Sequence, residues 1–573
     1  MGAQRPLIYE IQEELTRSAR AELAALLGPM PPALRRYKRR YDEDVSDLRS
    51  ITTRAHLIDR VRGCDLLYLG DYHTLRQSQK TLMRILKELR EERAEIFVGL
   101  EMIHEGQQEM VDRFVSGEVE EAQLLEQINY WEDWGFSWRN YRQIFNYGRK
   151  HGVRLVGLEL DARSDRRSLG ARDRHAARTV ARLTEQHPGA LVVVFYGDFH
   201  VARQHIPRLV EQRLERRGLK RERVICHQNA EPIYWLLLAE QQVHSVDVVR
   251  LGEDRYCVMN TPPWIKYTSY IDWLAVPKES RRAYQQVAVS GKKGLRDAGE
   301  LYPEVEVEID IDDQFHTMAE RAGRLLGQAA IDLSGFRPVA IFDANLGALM
   351  AKLELSKRAS RDLSARLVTF GSVLIPDHDL IYFADPGVNL LAEQAARLLR
   401  HQALRAEPAA RDAREQLYRE VLDAAFGFFG SKLVNYKRKC NKVDDYRRFL
   451  IKHRHLRRDP GLDEHRRAAR LILAHKEHEE RIARGRAKRV RLRTIFRMPP
   501  YVHHRVVKGL GYMMGNRLYQ ALMHDEIELQ EILDSFLKAD ARRSARRHER
   551  AYLRLCERLR ETSVGVESKA DRF

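Results

Sequence analysis

The chain has 573 residues and a formal charge of +17, with 44% apolar and 32% charged residues. At roughly 150 residues per domain this predicts three or four domains, and it is too apolar for a disordered chain. The positive balance points to an anionic partner, whether nucleic acid, phospholipid surface or acidic protein, and says nothing about fold. Five cysteines (Cys64, Cys226, Cys257, Cys440 and Cys556) show no CxxC and no regular spacing. That argues against a disulfide framework or zinc finger and for reduced thiols. The opening "MGAQRPLIYEIQEELTRSARAELAALL" lacks the apolar core and cleavage site of a leader and any lipobox-like cysteine. No stretch approaches the ~20 apolar residues that span a bilayer. The expectation is a soluble cytoplasmic protein, peripheral at the membrane if its basic part docks there.

In chain order, residues 1–60 read as charged helix broken at "PMPP" (29–32). From 61 to 280 short apolar runs alternate with helical stretches. The runs are "DLLYLG" (65–70), "EIFVGLE" (95–101), "RLVGLEL" (154–160), "ALVVVFYG" (190–197) and "RVICHQN" (223–229). Continuously apolar strands separated by helices predict an α/β domain with a mostly parallel sheet covered on both faces. An aromatic-rich segment at 230–275 completes this domain. A smaller second α/β region is expected at 300–405, with strands in "EVEVEIDI", "PVAIFDA", "RLVTFGSVLI" and "LIYFADPG". Residues 408–573 read as an all-α, strongly basic region, densest in Lys and Arg at 431–497.

Two of the runs close on the same tetrad, Gly70-Asp71-Tyr72-His73 and Gly197-Asp198-Phe199-His200. In an open α/β sheet, ligands sit beyond the carboxyl ends of the strands. Besides the tetrads, that edge receives Glu101, with His104 three residues on, and Glu159 and Asp161. Imidazole and carboxylate donors suit zinc, manganese or iron, which makes Asp71, His73, Glu101, Asp198 and His200 candidate metal ligands. The same groups can work as general acid and base, so His73, Glu101 and His200 are also candidate catalytic residues. The two tetrads are expected to form the two lips of one cleft.

Aromatics supply a second feature. Trp131, Trp134, Trp138 and Tyr141 lie at offsets of three, four and three, one face of a helix, although Gly135 and Ser137 interrupt it and Ser137 suits an N-cap. They are either core packing or an apolar wall for a flat aromatic ligand. Arg172, at the start of the helical segment "ARDRHAARTVARL", could reach an anionic ligand or pair with a neighbouring acid.

Over about 65–240 these residues together resemble the ChaN-like haem-binding family of the Tiki superfamily, whose relatives include TraB/Tiki proteins and erythromycin esterases. The resemblance rests on the first tetrad, Gly99-Leu100-Glu101-Met102, the aromatic set, "RDRHAA" (172–177), and the second tetrad followed by "HIP" (205–207). Asp71 stands where the family has glutamate, His175 where it has methionine and His205 where it has glycine. The resemblance implies haem or a metal ion held at the strand-end cleft, with Trp131, Trp134, Trp138, Tyr141 and Arg172 as cofactor contacts and a role in iron or haem handling. The wider superfamily implies an alternative, a metal-dependent or histidine-based hydrolase. A third reading places the function in 431–497, where Lys and Arg could meet nucleic acid or anionic lipid; interleaved acids such as those of "HKEHEERIAR" fit a salt-bridged helical surface instead. "GLGYMMGNRLYQALM" (509–523) suits helix packing or a partner surface.

Overall fold

A computed structural model describes residues 4–90, 93, 95–160, 168–275, 309–327, 335–340, 353–384, 387–405, 410–454, 460–485, 498–538 and 546–563. The chain divides into two compact units: Leu15–Gly294 forms the body of one, and Leu295–Ala570 with Met1–Glu14 that of the other.

The first unit is built on an eight-stranded sheet. Its strands are β1 (Ser50–Thr52), β2 (Leu66–Asp71), β3 (Ile96–His104), β4 (Arg154–Glu159), β5 (Leu191–Gly197), β6 (Arg223–Gln228), β7 (Val248–Arg250) and β8 (Arg255–Val258). They lie in the order β1-β7-β8-β6-β2-β5-β3-β4. All neighbours from β8 to β4 pair in parallel, and only β7 and β1 run antiparallel to their neighbours. The five apolar runs thus become β2 to β6, and the α/β expectation holds. Because side chains alternate along a strand, each central strand feeds two cores. Leu67, Leu69, Val193 and Phe195 enter one, and Leu66, Tyr68, Val192, Val194 and Tyr196 enter the other. Helices such as Arg76–Leu89 and Leu169–Gln186 cover these faces with their buried stripes.

The second unit carries a four-stranded sheet of β9 (Ile309–Asp310), β10 (Arg337–Ala340), β11 (Ser372–Ile375) and β12 (Leu380–Phe383), ordered β11-β12-β10-β9. Only β12 and β10 are parallel. The strand expected over "RLVTFGSVLI" is half helix. The helix Lys357–Phe370 runs through Arg366–Phe370, and Gly371, at φ +82°, ends it before β11 starts. The front of "EVEVEIDI", the end of "PVAIFDA", Asp161 and 486–497 lie outside the described residues.

The other described elements of the second unit are helices. The helix Ala413–Val434 is buried on nearly every side, which places it at the centre of a packed bundle. Against it lies Pro500–Met523, whose glycines permit backbone contact: a Cβ on Gly515 would stand 2.3 Å from the Ala425 carbonyl oxygen. The segment 509–523 is therefore internal packing. A Gly515→Ala change gains about 1 kcal/mol of helix propensity but forces two backbones apart at a cost of about 1–3 kcal/mol. Net destabilisation is the expected outcome, read as a lower midpoint of the far-ultraviolet circular dichroism transition.

All five cysteines are buried and none is in a disulfide. No described helix is long and apolar enough to cross a membrane.

Candidate functional site

β2 and β5 are adjacent, with Gly70 opposite Tyr196 and Asp71 opposite Gly197. The two tetrads therefore lie side by side on neighbouring strand ends rather than on facing lips. Close approach requires glycine at the first tetrad and leaves a side chain little room at the second. A Cβ on Gly70 would stand 2.0 Å from Asp198 Oδ1, so only glycine lets Asp198 fold over the end of β2. A Cβ on Gly197 would stand 3.2 Å from Glu101 Oε2, 3.5 Å from His73 Nε2 and 3.6 Å from His200 Cδ2. That point is the centre of the site: three nominated residues surround it.

His73 is held from behind. Its Nδ1 pairs with Asp71 Oδ2 at 2.9 Å, while Tyr141 donates to the same oxygen at 2.6 Å and Gln79 to Oδ1 at 2.6 Å. The other ring nitrogen, Nε2, faces Glu101 Oε2 at 3.6 Å, beyond hydrogen-bond reach. Burial raises the Asp71 pKa and dominates over the His73 hydrogen bond. Burial would lower the His73 pKa, but Glu101 and Asp71 outweigh it and raise it, favouring the imidazolium.

Glu101 is a clamped carboxylate. The Gly197 N–H donates to Oε2 at 2.7 Å and Arg172 to Oε1 at 2.5 Å. Burial pushes its pKa up, yet His73, Arg172 and His200 hold it below the ordinary value. Arg172 also donates to Glu159 Oε2, through Nε at 2.8 Å, and Tyr196 donates to that oxygen at 2.8 Å. The guanidinium thus bridges two buried glutamates. Of the two readings of Arg172, the structure shows the pairing with neighbouring acids, made through Nε and Nη2.

His200 has a similar support. Its Nδ1 pairs with Asp173 Oδ1 at 2.6 Å, and Tyr37 donates to both oxygens of Asp173 at 2.9 and 2.8 Å. His205, in the family's glycine position, stacks on Tyr37 at 3.8 Å and donates from Nδ1 to the Phe199 carbonyl at 2.7 Å. Asp198 turns elsewhere, with Oδ2 accepting from Lys266 at 3.3 Å. His175, in the methionine position, is buried, and burial lowers its pKa.

The aromatic set does not share one face. A short helix, Tyr130–Asp133, ends before Gly135 at φ +70°, and Trp138–His151 starts afresh with Ser137 at its N-cap position. The break sends Trp138 into the core against Phe145, with its indole N–H on Glu121, and Trp131 against Tyr130. Only Trp134 and Tyr141 reach the site. Trp134 packs edge-on to His73 at 4.6 Å, and Phe136 lies 4.9 Å from the same ring and stacks on Trp273 at 4.7 Å.

Tyr37, Asp173, Gln79, Phe136 and Trp273 were not nominated from sequence. Asp173 stood inside the "RDRHAA" motif and was legible there. Tyr37 carried no signal, since its partner His200 is 163 residues away. Asp71, His73, Glu101, Asp198 and His200 do not bring three ligand atoms within 4.8 Å of one another; among the described residues, Glu420, His503 and His504 of the second unit do. What the first site offers is two imidazoles, each oriented by an aspartate, around a clamped glutamate.

No curated protein matches the chain. A solved structure of cofacial haem binding to ChaN of Campylobacter jejuni is similar over 36% of this chain and 91% of that one, at 14% identity and a TM-score of 0.25. Residues 57–171 match the family described as haem-binding uptake, Tiki superfamily, ChaN. The segment that supplies Asp71, His73, Glu101, Trp134 and Tyr141 is thus similar to the ChaN family.

Proposed function

We propose that the first unit binds haem at the strand-end cleft, with His73 as the residue that meets the iron. The observation that carries this reading is the setting of His73. One ring nitrogen is anchored by a buried carboxylate, the other is outside hydrogen-bond reach, and Trp134 and Phe136 lie against the ring. A carboxylate behind a ligating imidazole fixes its orientation and raises its basicity. The residues therefore fit haem: when it is bound, His73 would hold its iron as the neutral imidazole, giving up the ring proton. Asp71 and Tyr141 orient the ring, and Trp134 and Phe136 offer apolar surface to the flat macrocycle. Haemin titration followed at the Soret band tests the reading, which fails if the wild-type protein produces no saturable shift.

A second reading is favoured by one feature that haem binding leaves unused, the Tyr37–Asp173–His200 cluster. An imidazole oriented at Nδ1 by an aspartate is the arrangement of a general base. A histidine-based hydrolase would lose turnover of activated esters on His200→Ala while keeping any Soret shift. No ester hydrolysis above the buffer rate by the wild-type protein removes this reading.

A further inference from the structure

The second unit contains a cavity of about 210 Å³ between the helices Lys357–Phe370, Val388–Ala403 and Ala413–Val434. Its charge is strongly one-sided. Five arginines (Arg366, Arg397, Arg400, Arg405 and Arg419) line it, against two carboxylates, Glu420 and Asp423. Both carboxylates have other partners. Asp423 accepts from Arg397 at 2.9 Å and lies 3.9 Å from Arg400, and Glu420 pairs with His503 at 2.6 Å. Among the described residues, no hydrogen bond or ion pair engages the side chains of Arg366, Arg405 and Arg419. His401, also on the wall, has its pKa lowered by burial and then by Arg405, the sign of a local positive field.

Arg366 and Arg419 are half-buried and Arg405 is exposed, so water reaches them, and together with Arg397 and Arg400 they give the cavity wall an excess of positive charge that attracts an anion. Guanidinium forks match the geometry of phosphate oxygens, and a single carboxylate would leave two of the three unmatched. The void is smaller than the ~300 Å³ at which pockets for drug-sized ligands begin, so the ligand is compact. Leu374, Pro376 and Leu404 add a short apolar side, room for a small organic group beside the charge. From this geometry we infer that the second unit binds a compact phosphorylated anion, a diphosphate or a phosphomonoester group, between Arg366, Arg405 and Arg419. The same recognition would serve a free metabolite or the monoester headgroup of phosphatidate.

Calorimetric titration of the full chain with pyrophosphate, beside sedimentation with phosphatidate vesicles and with phosphatidylglycerol vesicles as the diester control, tests this. Expected is saturable binding at one site per chain by pyrophosphate or selectively by phosphatidate, weakened at least tenfold in Arg366→Gln/Arg419→Gln. Pyrophosphate binding assigns a soluble ligand, and phosphatidate binding alone assigns the headgroup. Should the double variant misfold, arginine modification by phenylglyoxal on the wild-type protein decides. Protection of Arg366 and Arg419 by pyrophosphate or phosphatidate supports the site, and unchanged modification overturns it. The site is also overturned if no probe binds saturably, or if binding survives the double substitution undiminished.

Discussion

Replacing His73 with alanine is expected to remove the Soret shift that haemin titration produces in the wild-type protein. The change deletes the imidazole but leaves Asp71 two of its partners, the Gln79 amide and the Tyr141 hydroxyl, so the buried carboxylate is not stranded. The fold should therefore tolerate it. A graded series sharpens the test. Asp71→Asn keeps the imidazole and removes its charged support, and outer-shell losses of this kind weaken metal affinity about 10- to 100-fold. His200→Ala should leave haem binding within a few-fold of wild type, because His200 is oriented by Asp173 and not by Asp71, and makes no hydrogen bond to His73. A His73→Ala protein that still shifts the Soret band would place the iron on another residue. All six tryptophans lie between Trp131 and Trp273, inside the first unit, so tryptophan fluorescence verifies in the same samples that this unit is intact.

The second large effect is expected in the other unit. Glu393 is fully buried and accepts from Arg397 at 2.7 Å, Arg438 at 2.6 Å and Tyr512 at 2.7 Å. Burial alone would raise its pKa, but Arg438 and Arg397 outweigh burial and bring it to about 2. Glu393→Gln keeps the shape and leaves two buried guanidiniums short of a counter-charge, a loss of about 3–5 kcal/mol. Arg397 retains Asp423, which holds the loss within that range. A carboxylate with a depressed folded pKa contributes stability that is fully present above its unfolded value, near 4.3, and is lost as pH falls toward 2. The variant's deficit should therefore be complete at pH 7 and shrink steadily between about pH 4.5 and pH 2. The second unit has no tryptophan, so circular dichroism should report a midpoint lower by ~10 °C while the fluorescence transition stays in place. An unchanged dichroism midpoint at pH 7 would show that the Glu393 cluster does not hold this unit together.

Several described cations of the basic segment pair with acids, some buried and some exposed. Arg438 is buried on Glu393, Lys476 pairs with Glu479 at 2.9 Å, and Arg448 pairs with Asp445 at 3.0 Å. Charge density in the sequence showed how many cations there are. It could not show which carboxylates they meet, because Glu393 is 45 residues from Arg438.

What could be read from the chain alone is what short-range physics controls. Continuous apolar runs specify the strands β2 to β6, since a strand buried on both faces has no solvent side on which to place polar residues. The glycines and acids that close those runs mark the edge where the site lies. Beyond that range, only folding assigns partners. β1, the three residues Ser50–Thr52, is a strand solely because β7 is there to pair with it. One turn at Gly135 sends Trp138 into the core while Trp134 stays beside His73, although their spacing suggested one face. Arg172 lies 71 residues from Glu101, and Tyr37 lies 136 residues from Asp173. The tertiary fold chose these pairs, because a buried charge or hydroxyl is stable only where some other part of the chain brings it a partner.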